Sequence, residues 1–188
     1  MLGASDVDFG PLADLIGEWS GAAGTDVAPE PDGKEINPYF ETITYAPAGG
    51  VRNAGSQSLV ALHYRQIVRR KSNGNVFHDE TGYWMWEAST ATVIHSLTIP
   101  RGVCVLAGGK YSGAADGDGR TTIEVSTTAD DEHWKIIESP FMRDNASTMS
   151  YRQQLICGNG TLSYRQTMMV DIYGTLFEHS DENTLSRA

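Results

Sequence analysis

At 188 residues the chain is most simply one domain, long enough to bury a core and short for two. Its 40% hydrophobic and 20% charged residues exclude a disordered polymer. The formal charge of −10 argues against a nucleic-acid partner, because no Lys/Arg cluster is large enough to neutralise several phosphates, and no apolar run is long enough to span a bilayer as a helix.

The N-terminal stretch from Met1 to Asp8 lacks the basic and apolar segments of a secretory leader, so a cytoplasmic location is expected. A short helical turn is expected from Phe9 to Ile16, limited by Pro11 and Gly17. Next come Gly17, Trp19 and Gly21 on a strand-like segment, where a Trp can plug a barrel end while the glycines allow close approach. Ala28 to Gly33, rich in Pro, Gly and Asp, reads as a loop. Strand signals then recur at 39–45, 58–68, 76–87, 92–99, 103–111, 121–128, 134–138, 148–157 and 162–172. Asn73-Gly74, Asp116 to Gly119 and Gly158-Asn159-Gly160 punctuate them as hairpin turns. His179 to Leu185 reads as an acidic tail.

Near the C-terminus Leu162, Tyr164, Met168, Val170 and Ile172 share one strand face, interrupted by Gln166, and Ser163, Arg165, Thr167, Met169 and Asp171 the other. One dry and one wet face throughout indicates an all-β fold, a closed antiparallel up-and-down barrel of about ten strands spanning residues 1–188. Side chains alone do not fill a barrel that wide, so a cavity holding a small-molecule ligand is expected.

The G-x-W at Gly17 and Trp19 resembles the opening of calycin barrels, the lipocalins and fatty-acid-binding proteins. Two further segments narrow the likeness: Phe77-His78-Asp79-Glu80-Thr81-Gly82-Tyr83 and Leu176-Phe177-Glu178-His179. Together the three resemble the nitrobindins, small barrels that hold a ferric heme in one mouth. Gly17, Trp19 and Gly21 match the family's G-x-W-x-G-x-G, and His78, Glu80, Thr81, Gly82 and Tyr83 match its H-x-E-[ST]-G-[YF]. The axial histidine falls on His179, His78 takes the place at the open edge of heme, and Thr148 stands where some members carry a lysine. Met168 is a candidate for an apolar distal wall. The resemblance implies ferric heme b, peroxynitrite isomerisation to nitrate, no catalytic side chain beyond the heme iron, and a chain acting alone or as a homodimer. The departures mark a diverged branch. Ala23 replaces the last motif glycine, the segment 25–37 is longer than the family's short link, and Ser180 follows the axial histidine.

An imidazole ligates ferric iron best when its other nitrogen is held by a partner, and Glu178, Asp181 and Glu182 are near enough in sequence to supply one. His63 and His95 read as strand residues beside polar neighbours and His133 as a loop residue; the five histidines show no metal-site spacing. Cys104 and Cys157 read as a reduced, buried pair. The competing expectation is a heme-free carrier of an apolar or amphipathic molecule, similar to fatty-acid-binding proteins. An inward Arg65, Arg152 or Arg165 would then meet a ligand carboxylate, though parity places the last two on the wetter face.

Overall fold

The computed structural model describes residues 7–188; residues 1–6, part of the segment read above for a leader, lie outside the described residues. Twelve strands run in chain order: β1 (Gly17–Gly21), β2 (Thr25–Glu30), β3 (Gly33–Asn53), β4 (Gln57–Arg70), β5 (Val76–Glu87) and β6 (Thr92–Ile99). They continue with β7 (Val103–Lys110), β8 (Thr121–Thr128), β9 (Lys135–Glu138), β10 (Ala146–Gly158), β11 (Thr161–Ile172) and β12 (Thr175–Arg187). Alternation dictates them. In β3, Asn37, Tyr39, Glu41, Ile43 and Tyr45 are buried while the residues between are exposed.

All pairings are antiparallel and the sheet closes on itself, with β1 between β3 and β12. β2 continues in the same slot, bonded to β3 on one side and β12 on the other. β8 and β9 likewise share the slot beside β7. Twelve strands therefore occupy ten positions round an all-β barrel. The membership differs from the sequence expectation in two places. Residues 28–33 are not a free loop but the end of β2 and its turn into β3, and the acidic tail is β12. Its inward positions are His179, Asp181, Asn183 and Leu185, whereas Glu178, Glu182 and Thr184 face solvent.

One end is sealed. The 3-10 helix Gly10–Leu15 drives Leu12 and Leu15 fully inside, and Trp19 is 1% exposed with its indole N–H donating to the Leu15 carbonyl at 2.7 Å. Arg187, from the last strand, lies 4.5 Å from the Trp19 ring and donates to the Asp14 and Ile16 carbonyls. First and last strands are thus tied where the barrel closes. Behind the plug Leu62, Trp84, Ile123, Leu155, Leu162 and Leu185 fill the core, each buried side chain contributing roughly 1.5–3 kcal/mol. Two expectations change here. His95 is not beside polar solvent-facing neighbours but is wholly buried against Trp84, because its parity on β6 points inward. Cys157 is buried at the sealed end, but Cys104 faces out from β7 and is exposed.

Candidate functional site

The other end opens into a cavity of about 340 Å³, within the size range of small-molecule sites. Its walls differ in chemistry. Leu97, Ile99 and Val103 on β6 and β7, and Met168, Val170 and Ile172 on β11, make up the apolar lining from two sides, with Met142 from the short helix α1 (Pro140–Asn145). Asp26, Glu35, Asn37, Tyr39, His78, His179 and Asp181 form a polar one. The four candidate ligand residues come from four strands: His78 from β5, Thr148 from β10, Met168 from β11 and His179 from β12, and all line this one cavity. A shallower groove on the outer surface, around Gln154, Ser163 and Arg165, holds none of them.

Register decides their relative placement. Met168 is the direct partner of His179 in the β11–β12 ladder, so the two side chains stand next to each other on the inner face. Met168 is therefore not across the cavity from the imidazole, as a distal wall would be. The strand five positions from β12 in either direction is β6, which puts Leu97 and Ile99 on the opposite wall. Thr148 is buried at a bulge in β10, where its backbone N–H donates to Glu138 at 2.8 Å.

His179 is partly buried, and its Nε2 lies 2.8 Å from Oδ1 of Asp26 on β2. Asp26 is 8% exposed, and its other oxygen accepts from Asn37 Nδ2 at 3.2 Å. Burial alone would raise the Asp26 pKa, but the hydrogen bond and charge of His179 outweigh it and hold the carboxyl below its usual range. The imidazole's partner is thus not any of its acidic sequence neighbours. Glu178 and Glu182 point outward, and Asp181 accepts from Tyr39 and from Tyr164. Asp26 is 153 residues away in sequence, on a strand that sequence reasoning missed. The signal was there: Asp26, Ala28 and Glu30 alternate with Val27 and Pro29.

The floor of the cavity is a layer of buried polar groups. Glu41 accepts from Gln66 and Asn183 at 2.6 Å each, with the Tyr164 hydroxyl at 3.1 Å; burial nonetheless pushes its carboxyl up to about 8. Glu80 is 2% exposed and accepts from the Tyr64 hydroxyl, with His78 Nε2 at 3.4 Å. Burial works against both charges of that pair. For Glu80 the His78 contact outweighs it and lowers the pKa; for His78 the Glu80 contact outweighs it and raises the pKa. Because Tyr64 donates to Glu80, its oxygen is left to accept from His95 Nε2 at 2.8 Å. The Tyr151 hydroxyl, which donates to Gln153 Oε1 at 2.7 Å, lies 3.2 Å from the His95 Nδ1. Polar contacts thus run from His95 in the core through Tyr64 and Glu80 to His78 at the cavity.

Among the described residues no three His, Cys, Asp or Glu side chains converge as a metal site. The single imidazole can hold iron only when the iron brings its other ligands with it, as in a porphyrin. The cavity fits such a group: His179 on one wall, His78 already engaged by Glu80, apolar side chains beside and across from His179, and an open edge for polar substituents. One contact stands in the way, the Asp26 carboxylate on Nε2. The arginines suggested for a carrier do not enter. Arg65 and Arg152 face solvent in pairs with Asp79 and Glu124, and Arg165 is exposed. Arg70 and Arg101, which by sequence read as turn residues, line the mouth instead.

Comparison with known proteins agrees with this geometry. No curated protein sequence matches the chain. The crystal structure of Rv2717c from M. tuberculosis superposes with a TM-score of 0.69 at 24% identity, covering 96% of this chain and 99% of that one, which establishes the shared fold. The model of the THAP4-like, heme-binding beta-barrel domain matches residues 8–187. With its motifs at Gly17, Trp19 and Gly21 and at His78 to Tyr83 placed as the barrel requires, the chain belongs to this family, that of the nitrobindins.

Proposed function

We propose that the barrel binds ferric heme b in its open cavity, with His179 as the iron's protein ligand, and that the loaded protein isomerises peroxynitrite to nitrate. The observation that carries this reading is the convergence of His179, Met168, Thr148 and His78, from four strands, on one cavity. When bound, ferric heme supplies a Lewis-acidic iron that favours O–O cleavage and recombination.

The chain's own residues bind, orient and exclude water. His179 supplies the one imidazole, and Met168 packs beside it to restrict its rotation. Leu97 and Ile99 form the facing wall, apolar and without a competing ligand. His78 is held by Glu80, whose carboxylate raises the imidazole pKa against the effect of burial, at the edge where an anionic substituent or reactant would sit. Arg101 adds positive charge at the rim, where Arg70 is paired with Glu35. A reducing, cytoplasmic setting belongs to the same proposal.

A fatty-acid carrier fares worse. The arginines that would meet a ligand carboxylate, Arg65, Arg152 and Arg165, all face solvent outside the cavity. The test is a hemin titration followed by Soret absorbance. Wild type should give a five-coordinate or water-ligated ferric spectrum, and His179→Ala should weaken binding severely. Equal binding with an unchanged spectrum would refute the axial assignment.

A further inference from the structure

We propose that Asp26 is a built-in competitor for the iron site, its carboxylate and heme iron contending for one atom, Nε2 of His179. This rests on the heme reading above and deepens it. With iron on Nε2, the nitrogen at the tip of the side chain, the lone pair is needed at the atom whose proton the hydrogen bond to Asp26 uses, so one nitrogen cannot serve both. Iron on Nδ1 would leave the contact intact, and unchanged or weaker binding in the Asp26 variants is the result it gives.

Three observations carry the inference. The contact is short, 2.8 Å from Nε2 to Oδ1. The carboxylate is fixed, since it is buried and its other oxygen is held by Asn37, its direct partner in the β2–β3 ladder. The backbone also sets the geometry: Asp26 stands opposite Asp181 in the β2–β12 pairing, which makes it the diagonal neighbour of His179, within reach of a short acidic side chain and an imidazole.

The hairpin that carries Asp26 is also weakly fastened. β2 pairs with β12 through only three residue pairs, Val27 with Ser180, Asp26 with Asp181 and Thr25 with Glu182. Beyond Val27 the β2 backbone pairs only with β3, and Arg70 of β4 holds the other arm of the hairpin through Glu35 and Asn37. Loading therefore requires either that the imidazole turn from Asp26 or that this short ladder part. The apparent affinity for heme is reduced by whatever the closed contact contributes.

Hemin titrations of the full chain test this. Asp26→Ala should bind hemin at least tenfold more tightly than wild type, and Asp26→Asn, which keeps the shape and the Asn37 contact, by a smaller factor. In a His179→Ala background neither change should raise affinity. A heme-free readout is the rate at which diethyl pyrocarbonate modifies His179 at fixed pH, followed by peptide mass spectrometry with His63 as internal reference. That rate should rise several-fold in both Asp26 variants. The proposal is overturned if hemin affinity stays the same or falls in both variants while His179 remains required, or if His179 is modified at an unchanged rate. Should no variant take up hemin, the heme reading fails and the competition with it. The diethyl pyrocarbonate rates then still report whether Asp26 covers Nε2.

Discussion

The imidazole of His95 stacks on the indole of Trp84, ring centroids 4.1 Å apart and planes 11° from parallel. Both side chains are fully enclosed, and the Tyr64 and Tyr151 hydroxyls flank the ring edge at 2.8 and 3.2 Å. Protonation would put a cation into this stack.

Burial accordingly pushes the His95 pKa down to about 4, with only partial opposition from Glu80. The sign follows from proton uptake. Between about 6.5 and 4 the unfolded chain binds a proton that the folded chain refuses, so the stabilisation is complete above 6.5 and drains away as pH falls. The loss from this group reaches about 3 kcal/mol. His95→Gln, which cannot titrate, should be less stable at pH 7 yet show a shallower decline in acid. Urea denaturation of both proteins across this range would decide it, and parallel curves would contradict the assignment.

Gly82, the glycine of the H-x-E-[ST]-G-[YF] match, is set by a close approach of backbone. A Cβ there would lie 1.9 Å from the Ser96 carbonyl oxygen on β6, an atom that cannot swing aside. Gly82→Ala should therefore destabilise the barrel by about 1–3 kcal/mol through overpacking. Gly117, with open space around it, is the control and should tolerate alanine nearly unchanged. Thermal or urea melts of the two variants measure the contrast; equal melts would remove the steric account of the motif glycine.

The two cysteines should differ sharply in reactivity. Cys104 is exposed on the outer face of β7. Cys157 is buried, donates to the Asp14 carbonyl at 3.3 Å, and is pushed up to about 12 by burial and by Asp14. Since the thiolate is the nucleophile, the native reduced protein should show one fast thiol with a disulfide reagent and a second only on unfolding. Cys104→Ser should abolish the fast phase. Two fast thiols in the native protein would show that the sealed end opens readily.

The barrel was legible because alternation and turn chemistry are local. His78, Thr148 and Met168 each lie on a strand that its own neighbours define, and β11 reads inward at Leu162, Tyr164, Met168 and Val170 from period two alone. His179 was legible as a candidate only through the motif, since charge obscured the alternation of β12. A tail of His, Asp, Asn and Leu on one face reads as acidic until its partner strands are known.

By itself, then, the sequence determined the all-β class, the Trp19 plug, the hairpin turns and which residue types could meet a heme. Only the tertiary structure decided which of them meet each other. Met168 stands beside His179 because of register, and register is a relation between strands. The His179 imidazole faces Asp26 because barrel closure brings β2 onto β12, across 153 residues of chain. A carboxylate's influence on an imidazole falls off within a few ångströms, and no spacing along a chain specifies that distance until the sheet has closed.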